Sequence, residues 1–410
     1  MKESEILKKL DYVVGDPLVL REIEMEKPFC PFAEETLQFL DSWSLHCRRI
    51  QREEMEKGAQ VYPDVAAFAF WCRRNAAERE KERYGEEIFE RIGAGLTLHF
   101  ASSNVPVLFA FSTAAALLAG NCVVLRLPLK KTPQEKILCR ALRETFTEFP
   151  RWSRRILFFR SEHDPEINAF LTGISQVRII WGGDEAVREI REAPLAVCGR
   201  EISFGDRRSA AVLGADRILA MTNKELEAEA LGFFNDTYLN DQNACSSPVL
   251  LYWLGSSVRI AAARKRFWEA VSEYAQKNYR MTGKLAVKKL EQACWIAARA
   301  EDVKVEFHKN TALCVWMPSL PEDCLALSVP GGFFLESGGE TLDGLYPALT
   351  RKCQTITCLG VDPEEVRERI LRQRVPGVDR VVPSGHALDF SLVWDGRDLI
   401  REMSRRVACF

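Results

Sequence analysis

A run of alternating strand and helix patterns between residues 93 and 190 constrains the fold of this 410-residue chain more than any other feature. Short apolar segments predict strands at 96–100, 122–126, 156–159 and 177–181, and longer amphipathic or apolar segments predict helices between them. This alternation is typical of parallel sheets, because two parallel strands need a crossover connection that is usually a helix. The sequence therefore predicts an α/β fold with a parallel sheet covered by helices on both faces.

The length and the flanking patterns indicate further parts. A chain of 410 residues exceeds what one hydrophobic core usually holds, so we expect two domains, with a boundary near residue 220. Residues 32–90 carry apolar side chains at helical intervals and predict two or three amphipathic helices. After residue 223 the chain is mostly helical with interspersed strands, including one at 325–329, and residues 395–408 predict a closing helix.

Composition excludes some classes of function. A net charge of −2 gives no electrostatic footprint for nucleic acid, so we expect no nucleic-acid partner. The longest apolar stretch, from Val105 to Ala119, is about 15 residues and falls short of the roughly 20 that a membrane-spanning helix needs. The N-terminus lacks the apolar core of a signal peptide, so we expect a cytoplasmic protein.

The thirteen cysteines and five histidines show no metal-ligand spacing, and no cysteine pair has the C-x-x-C pattern. In a reducing compartment most of these thiols are best interpreted as small buried apolar groups. We expect no metal site.

Two glycines, Gly182 and Gly183, separate a predicted strand from a predicted helix. Free amides at such a helix start can face a phosphate or a dinucleotide. The pattern is not G-x-G-x-x-G, and Asp184 and Glu185 would repel a phosphate at that point. From these residues alone, a tight strand-to-helix turn is the better explanation.

Cys245 ends a polar, turn-rich segment, 234–244, and is followed by Ser-Ser-Pro before an apolar strand. A cysteine at such a junction is more exposed than a core cysteine, and its thiolate is a good nucleophile near neutral pH. Spacing alone supports a structural cysteine at least as well.

Asn104 lies in the segment Ser102-Ser103-Asn104-Val105-Pro106, between a predicted strand and an apolar helix. An amide held there can donate to an oxyanion. Asparagine near a helix start is also a common cap, and capping is the better explanation when nothing else bears on the residue.

These segments and several others together have an order and content typical of one protein family. The segments are 62–73, 101–106, 118–128, 181–186, 241–248, 380–390 and 393–396. The set resembles the LuxC-like acyl-CoA reductases, the fatty-acid reductases of bacterial bioluminescence, within the aldehyde dehydrogenase superfamily. Each segment is short, and the specificity lies in the full set, which covers most of the chain.

The resemblance implies a fold of the aldehyde dehydrogenase type, with a Rossmann-type parallel-sheet cofactor domain, an α/β catalytic domain and a helical N-terminal region. We expect the helical region over 1–90, the dinucleotide-binding domain over 91–220 and the catalytic domain with the nucleophilic cysteine over 221–380. The C-terminal segment, 381–410, is expected to pack back on the body.

The resemblance also implies residue roles. Cys245 would be the nucleophile, and the Asn104 side chain and the Cys245 backbone N–H would hold the oxyanion. Arg126 would take the place of the lysine that contacts the adenosine ribose, and Ser103 and the Gly182-Gly183 turn would lie beside the cofactor. The glutamate near the nicotinamide ribose has two candidate positions, Glu336 and Glu340, and His386 is a candidate general acid that a buried structural role explains better.

Two departures from the superfamily pattern bear on the reaction. The glutamate that activates hydrolytic water is matched by Ser203, which suits an enzyme that must not hydrolyse its thioacyl intermediate. Arg126 is followed by Lys130 and Lys131 without the acid that often disfavours a 2′-phosphate, which favours NADPH over NADH. An exposed, solvated basic turn is the alternative explanation of the lysines.

The predicted function is therefore an NADPH-dependent reductase that converts an acyl-CoA, or an acyl-protein thioester, into a fatty aldehyde through a thioacyl-Cys245 intermediate. Three alternatives stay open: an aldehyde dehydrogenase that makes free acid, an acyl-phosphate reductase, and a non-catalytic scaffold that docks an acyl-transferring partner. The family also implies an acyl-protein synthetase or transferase as partner and a homo-oligomeric state.

Overall fold

Two mainly parallel β-sheets organise the chain in the computed structural model, which describes residues 3–16 and 19–409. In chain order the α-helices are α1 (Glu3–Lys8), α2 (Val19–Glu22), α3 (Glu34–Glu56), α4 (Pro63–Trp71), α5 (Arg74–Glu82), α6 (Leu108–Leu118), α7 (Pro133–Glu148), α8 (Pro165–Ile174), α9 (Asp184–Arg191), α10 (Ala215–Ala220), α11 (Asn223–Tyr238), α12 (Ser257–Asn278), α13 (Gly283–Ala297), α14 (Pro363–Gln373) and α15 (Leu399–Glu402). The strands are β1 (Asp11–Val14), β2 (Arg91–Gly93), β3 (Leu96–Phe100), β4 (Cys122–Arg126), β5 (Ile156–Arg160), β6 (Val177–Trp181), β7 (Arg200–Phe204), β8 (Arg208–Gly214), β9 (Pro248–Leu254), β10 (Lys304–His308), β11 (Ala312–Trp316), β12 (Phe333–Gly339), β13 (Cys353–Leu359), β14 (Arg380–Pro383), β15 (Val393–Trp394), β16 (Arg397–Asp398) and β17 (Ser404–Arg406). Short 3₁₀ helices cover Ile23–Met25, Gly85–Glu90, Pro150–Arg154, Cys324–Leu327 and Tyr346–Ala348.

The contacts divide the chain into two units, Met1–Gly205 with Phe390–Phe410, and Asp206–Asp389. The first unit contains a sheet of order β1-β5-β4-β3-β6-β7, in which every pair except β1 with β5 is parallel. The predicted α/β architecture with a parallel sheet is confirmed. The chain runs outward from β3 through β4 to β5 and then returns to place β6 on the other side of β3, which makes a topological switch point between β3 and β6.

The strands of this sheet form because their sequences are nearly continuous apolar runs, as burial on both faces requires. All five residues of β3, β5 and β6 are buried. Helix α6 is apolar around most of its circumference, and every residue from Phe109 to Leu118 is buried, so it is a core helix. The N-terminal region forms the predicted amphipathic helices α3, α4 and α5, and α4 begins at Pro63 as its proline indicates.

The second unit contains a sheet of order β10-β11-β12-β9-β8-β13-β14, in which every pair except β10 with β11 is parallel. Successive residues of each central strand face opposite sides of the sheet. In β8, Ala210 and Val212 belong to one buried cluster, whereas Ala211 and Leu213 belong to the other. Each face of the sheet therefore has its own core.

Three local predictions differ from the structure. The division between the units falls at Gly205 rather than near residue 220, because β8 pairs with β9 and β13 and so belongs to the second sheet. The predicted strand at 325–329 is wrong, since this stretch begins within the 3₁₀ helix Cys324–Leu327. The predicted helix over 395–408 is also wrong: its only helix is α15, and β17 follows it and pairs with β2.

Candidate active site

Cys245 lies in the loop between α11 and β9, at the amino edge of the second sheet. Helix α11 begins with a capping box, in which Thr222 and Glu225 each accept the other's backbone N–H. It ends at Tyr238, and Asp241 and Gln242 then adopt left-handed backbone conformations with φ of 50° and 60°. These two residues reverse the chain and direct it back toward the strand, as predicted for a turn-rich segment.

The side chain of Gln242 fixes this loop. Its Oε1 accepts hydrogen bonds from the backbone N–H of Gly332 at 3.0 Å and of Phe333 at 3.1 Å. Its Nε2 donates to the carbonyl oxygens of Pro248 and Phe333, each at 3.0 Å. A Cβ at Gly332 would lie 2.2 Å from the carbonyl oxygen of Thr311, so only glycine fits there. The loop is thus attached to the starts of β9 and β12.

The Cys245 thiol is partly exposed and has a polar neighbour. The Nε2 of Gln354 donates to Cys245 Sγ at 3.2 Å, and the Ser209 hydroxyl donates to the Cys245 carbonyl oxygen at 2.7 Å. The Thr355 hydroxyl donates to Gln354 Oε1 at 3.2 Å, which fixes the amide with its NH₂ group toward the sulfur. A donor aimed at the sulfur stabilises the thiolate over the thiol.

Cys245 differs in burial from the other twelve cysteines, of which eight are buried and four are exposed. Burial raises the pKa of Cys122 to about 11 and those of Cys139 and Cys353 to about 12 each, so these thiols stay protonated. Among the thirteen thiols, Cys245 alone is partly exposed, lies in a loop and receives a hydrogen bond from a fixed amide.

In the first unit, the predicted cofactor residues meet at one edge of the sheet. Arg126 ends β4, Ser103 and Asn104 follow β3, and Gly182 and Gly183 follow β6. Because β3 lies between β4 and β6 in parallel, these three strand ends are adjacent. The crevice outside the carboxyl ends of strands at a switch point is where open α/β sheets bind nucleotides.

Asn104 is not the cap of α6. The N-cap of that helix is Val107, which makes no side-chain capping bond, and Asn104 is exposed three residues before it. The capping explanation of Asn104 is therefore wrong.

Two serine hydroxyls at this edge fit a polar ligand. The Oγ atoms of Ser102, after β3, and Ser161, after β5, are buried and have no hydrogen-bond partner within the part of the chain that the structure describes. Buried hydroxyls are normally paired, and a bound cofactor with its own hydroxyl and phosphate oxygens would supply partners. The residues at the crevice therefore fit a nucleotide.

Arg126 is partly buried at the same edge. Its guanidinium donates to the carbonyl oxygen of Ser161 at 3.3 Å, and its Cζ lies 6.0 Å from the centroid of the Phe100 ring. Burial lowers the pKa of Arg126, while the nearby Glu162 and Glu189 carboxylates favour its charged form. Lys130 and Lys131 are exposed beyond the strand.

Gly182 and Gly183 form the predicted strand-to-helix turn. Gly183 is the N-cap of α9 and has no side chain that could cap the first amides of the helix. A Cβ at Gly182 would lie 3.3 Å from the Cβ of Ala186, a contact tighter than usual. The small residues let the backbone amides at the start of α9 face the crevice directly.

A buried series of hydrogen bonds holds Trp181, the residue just before this turn. Trp181 Nε1 donates to Ser112 Oγ at 2.8 Å, Ser112 Oγ lies 2.6 Å from His99 Nδ1, and His99 Nε2 lies 2.9 Å from Thr97 Oγ1. The Thr97 hydroxyl donates to the Cys122 carbonyl oxygen, so His99 Nε2 must carry the proton. Burial lowers the pKa of His99 to about 3, and the imidazole stays neutral. These hydrogen bonds could not be predicted from the sequence, since no local pattern signals them.

Ser203, which the resemblance places at the position of the superfamily's glutamate, lies on β7. Its hydroxyl accepts a hydrogen bond from Arg191 Nη2 at 3.0 Å. Arg191 also pairs with Glu201 at 2.6 Å. A serine hydroxyl is far less basic than a carboxylate, and this one already accepts a hydrogen bond from Arg191. Ser203 is therefore a poor general base.

Glu336 and Glu340 are the two candidates for binding the nicotinamide ribose. Both carboxylate oxygens of Glu336 already have partners within the protein. Its Oε1 accepts from the indole N–H groups of Trp253 at 2.9 Å and Trp268 at 3.0 Å, and its Oε2 pairs with Arg264. The side chain is buried inside the second unit. Glu336 therefore stabilises the fold. Glu340 lines an open cavity of about 460 Å³ at the carboxyl edge of the second sheet, the edge opposite Cys245.

His386 is exposed, and its Nδ1 lies 2.7 Å from Asp389 Oδ2. It is therefore not the buried structural histidine that the sequence favours. The neighbouring backbone is held by Asp236 of α11, whose carboxylate accepts from the N–H groups of Gly385 at 2.7 Å and Ala387 at 2.9 Å. Burial raises the pKa of Asp236 to about 6.

In the described residues no group of three or more His, Cys, Asp or Glu side chains is placed to hold a metal ion. No helix among them is long and apolar enough to cross a membrane.

The family model for acyl-CoA reductase (LuxC) matches residues 75–316, which is more than half of the chain. The match includes Asn104, Arg126 and Cys245, and it ends before Gln354 and the other site residues beyond residue 316. The chain belongs to the acyl-CoA reductase (LuxC) family. It is 25% identical over 171 residues to the long-chain acyl-protein thioester reductase of Aliivibrio fischeri, and 26% identical over 183 residues to long-chain acyl-protein thioester reductase 2 of Photobacterium leiognathi. These matches cover 40% and 43% of this chain but only 33% and 35% of the relatives.

Solved structures show that this family member has the predicted aldehyde dehydrogenase fold. The lactaldehyde dehydrogenase of Escherichia coli aligns with a TM-score of 0.66 over 98% of this chain and 90% of its own, at 14% identity. The NAD-dependent aldehyde dehydrogenase of Sinorhizobium meliloti aligns with a TM-score of 0.66 over 95% of this chain and 84% of its own, also at 14% identity. At such identities the likeness concerns the fold.

Proposed function

We propose that this chain is an NADPH-dependent reductase that converts an activated fatty acyl thioester into an aldehyde through a thioacyl bond to Cys245. The observation that carries the proposal is the Cys245 thiol itself, partly exposed in a braced loop and hydrogen-bonded by Gln354 at 3.2 Å. Membership of the acyl-CoA reductase (LuxC) family supports the same reaction class.

In the first step the Cys245 thiolate attacks the thioester carbonyl carbon. The carbonyl oxygen takes the negative charge, and the Asn104 side-chain amide and the Cys245 backbone N–H donate hydrogen bonds to it. The bond from carbon to the donor sulfur then breaks, so that the donor leaves as a thiol after taking up a proton. The acyl group is left on Cys245 as a thioester, and no electrons have been transferred so far.

A nicotinamide cofactor, when bound, would supply the hydride that reduces this thioacyl group. Ser102 and Ser161 would offer it hydroxyls that have no partner among the described residues, and the backbone at Gly182 and Gly183 could approach it closely. Arg126, in the position of the ribose-contacting residue, favours a 2′-phosphate and hence NADPH, although Glu162 and Glu189 offset part of its charge.

The aldehyde is released when the reduced carbon loses its bond to sulfur, which restores the Cys245 thiolate. Water must not attack the thioacyl group first. Ser203 supports this requirement, because a hydroxyl held by Arg191 at 3.0 Å does not activate water as a carboxylate would.

The acyl donor is an acyl-CoA or an acyl group carried by a protein. The curated relatives are named long-chain acyl-protein thioester reductases, and this supports a protein donor, such as a synthetase or transferase that carries the acyl group.

The test is NADPH oxidation with acyl-CoA, combined with mass spectrometry of the product. We expect one aldehyde per NADPH consumed, no turnover by Cys245→Ala, and full turnover by the matched control Cys198→Ala, which changes an exposed cysteine of the first unit. Free acid as the product would indicate an aldehyde dehydrogenase, and reduction of acyl-phosphate alone an acyl-phosphate reductase. A protein that neither binds NADPH nor reacts at Cys245 would be a scaffold.

A further inference from the structure

Helix α13 has the reverse of the usual amphipathic arrangement. It exposes Val287 by 67%, Leu290 by 50% and Trp295 by 44%, and Cys294 is exposed as well. The same helix buries Lys289, whose side chain is 3% exposed and whose Nζ lies 3.4 Å from the Thr311 carbonyl oxygen. An amphipathic helix on a protein surface normally has lysine outside and leucine inside.

The exposed apolar side chains share one face of the helix. Val287, Leu290 and Cys294 follow the i, i+3, i+7 spacing, so they lie in a row along the solvent side. Lys289, Ala293 and Ile296 form the buried face of the helix, so the row lies on the side that faces away from the core. Single exposed apolar residues are ordinary, whereas a contiguous exposed row marks a surface that binds a partner.

The charges near the first half of the row are mainly positive. Arg280, Lys284 and Lys288 are exposed just before and along this half, against one exposed acid, Glu291. Beyond the end of the helix, Arg299 is offset by the exposed Glu301 and Asp302. The Arg299 guanidinium lies 4.2 Å from the centroid of the Trp295 ring, beside the apolar row. The first half of the row is therefore a local positive surface on a chain whose formal net charge is −2. Two copies of the surface would repel each other, so it fits an acidic partner with apolar side chains of its own.

The first turn of α13 lies beside the loop that carries Cys245. The Gly331 N–H donates to the Asp241 carbonyl oxygen at 3.0 Å, and a Cβ at Gly331 would lie 3.2 Å from the Cβ of Leu285 in the first turn of α13. Tyr279, just before the helix, donates its hydroxyl proton to Asp241 Oδ1 at 2.7 Å. A partner on α13 is therefore next to the cysteine loop.

We propose that the α13 surface, formed by Lys284, Val287, Lys288, Leu290, Cys294 and Trp295, docks the acidic protein that carries the acyl thioester. The inference rests on the proposed function and adds the place where a protein donor binds. An acyl-CoA thioester does not need a surface that binds a protein. Comparing the two donors therefore distinguishes an effect on docking from an effect on the reaction.

The test compares one acyl chain on two carriers, CoA and acyl carrier protein, which is acidic. For Leu290→Glu and Lys288→Glu we expect kcat/KM with the acyl carrier protein thioester to fall roughly tenfold or more, through KM, since central contacts dominate binding. The kcat/KM with acyl-CoA should stay within about twofold of wild type. The matched control is Leu371→Glu on α14, where an exposed leucine lies at the other end of the sheet, beside β14.

Several results would overturn the proposal. Unchanged kinetics of both variants with the protein thioester would do so, as would equal losses with both donors or the same loss in Leu371→Glu. Binding to vesicles of phosphatidylglycerol that Leu290→Glu abolishes, with protein-thioester kinetics intact, would assign the surface to a membrane instead. A wild-type protein that reduces neither donor would refute the proposed function, and the docking proposal with it.

Discussion

Replacing Gln354 by leucine removes the amide that donates to Cys245 Sγ at 3.2 Å while keeping the volume of the side chain. The hydrogen bond favours the thiolate, so its loss makes ionisation of Cys245 harder. A bond to a charged group contributes about 1.5–3 kcal/mol, and the partial exposure of Cys245 lets water replace some of it. We therefore expect a loss at the lower end of this range, about 1.5 kcal/mol, which corresponds to a roughly tenfold smaller thiolate fraction at neutral pH.

The alkylation rate should change by less than the thiolate fraction. A less acidic thiol gives a more nucleophilic thiolate, with a Brønsted slope of about 0.4–0.5, so a tenfold loss of thiolate is offset by a roughly threefold gain in reactivity. Gln354→Leu should thus react about threefold more slowly than wild type at neutral pH and about threefold faster at high pH, where both are ionised. The two pH profiles cross, and a purely steric effect would not make them cross.

The assay is iodoacetamide alkylation across pH, with peptide mass spectrometry to resolve the thirteen cysteines. The four exposed cysteines provide internal references. Thr357→Val is the matched control, because Thr357 lies on the same strand as Gln354 and its hydroxyl has no partner in the described residues. Superimposable profiles for wild type and Gln354→Leu would refute the role given to this amide.

Three other predictions follow from the structure. Asn104→Ala should lower acyl-CoA turnover by ~100- to 1,000-fold without weakening NADPH binding measured by fluorescence, and a loss below tenfold would contradict its role as an oxyanion donor. The pKa of Asp236, raised by burial to about 6 from an ordinary 3.8, means that its ionisation costs stability as pH rises through that range. In urea unfolding, the stability of Asp236→Asn relative to wild type should therefore increase by on the order of 3 kcal/mol between about pH 4 and pH 7, and a flat difference would contradict this. Glu336→Gln removes the buried carboxylate that pairs with the Arg264 guanidinium and should lower the free energy of unfolding by about 3 kcal/mol. A loss below about 1 kcal/mol would show that the fold does not need this ion pair.

The parallel sheet of the first unit was predictable because its signals are local. Apolar runs flanked by glycine, proline and asparagine mark strands whatever the rest of the chain does. The strands at 96–100, 122–126 and 177–181 have the predicted bounds. The tail was mispredicted although it carries a local signal: Asp395 and Gly396, with φ of 50° and 70°, make the hairpin turn between β15 and β16.

The surroundings of the cysteine were not predictable, because they are assembled from distant parts of the chain. Gln354 lies 109 residues after Cys245, and only the pairing of β13 with β8 brings it to the loop. The reversed face of α13 has a similar origin. The sequence of that helix has apolar residues at several helical positions, and the packing against the sheet decides that Ala293 and Ile296, rather than Val287 and Leu290, are buried.

The central claim is that the acyl group passes through a covalent bond to Cys245. The most direct measurement is intact-protein and peptide mass spectrometry after mixing with acyl-CoA in the absence of NADPH, followed by addition of NADPH. The account predicts one acyl group on the peptide containing Cys245, which NADPH discharges as aldehyde. An acyl group on another residue, or full aldehyde production by Cys245→Ala, would contradict it.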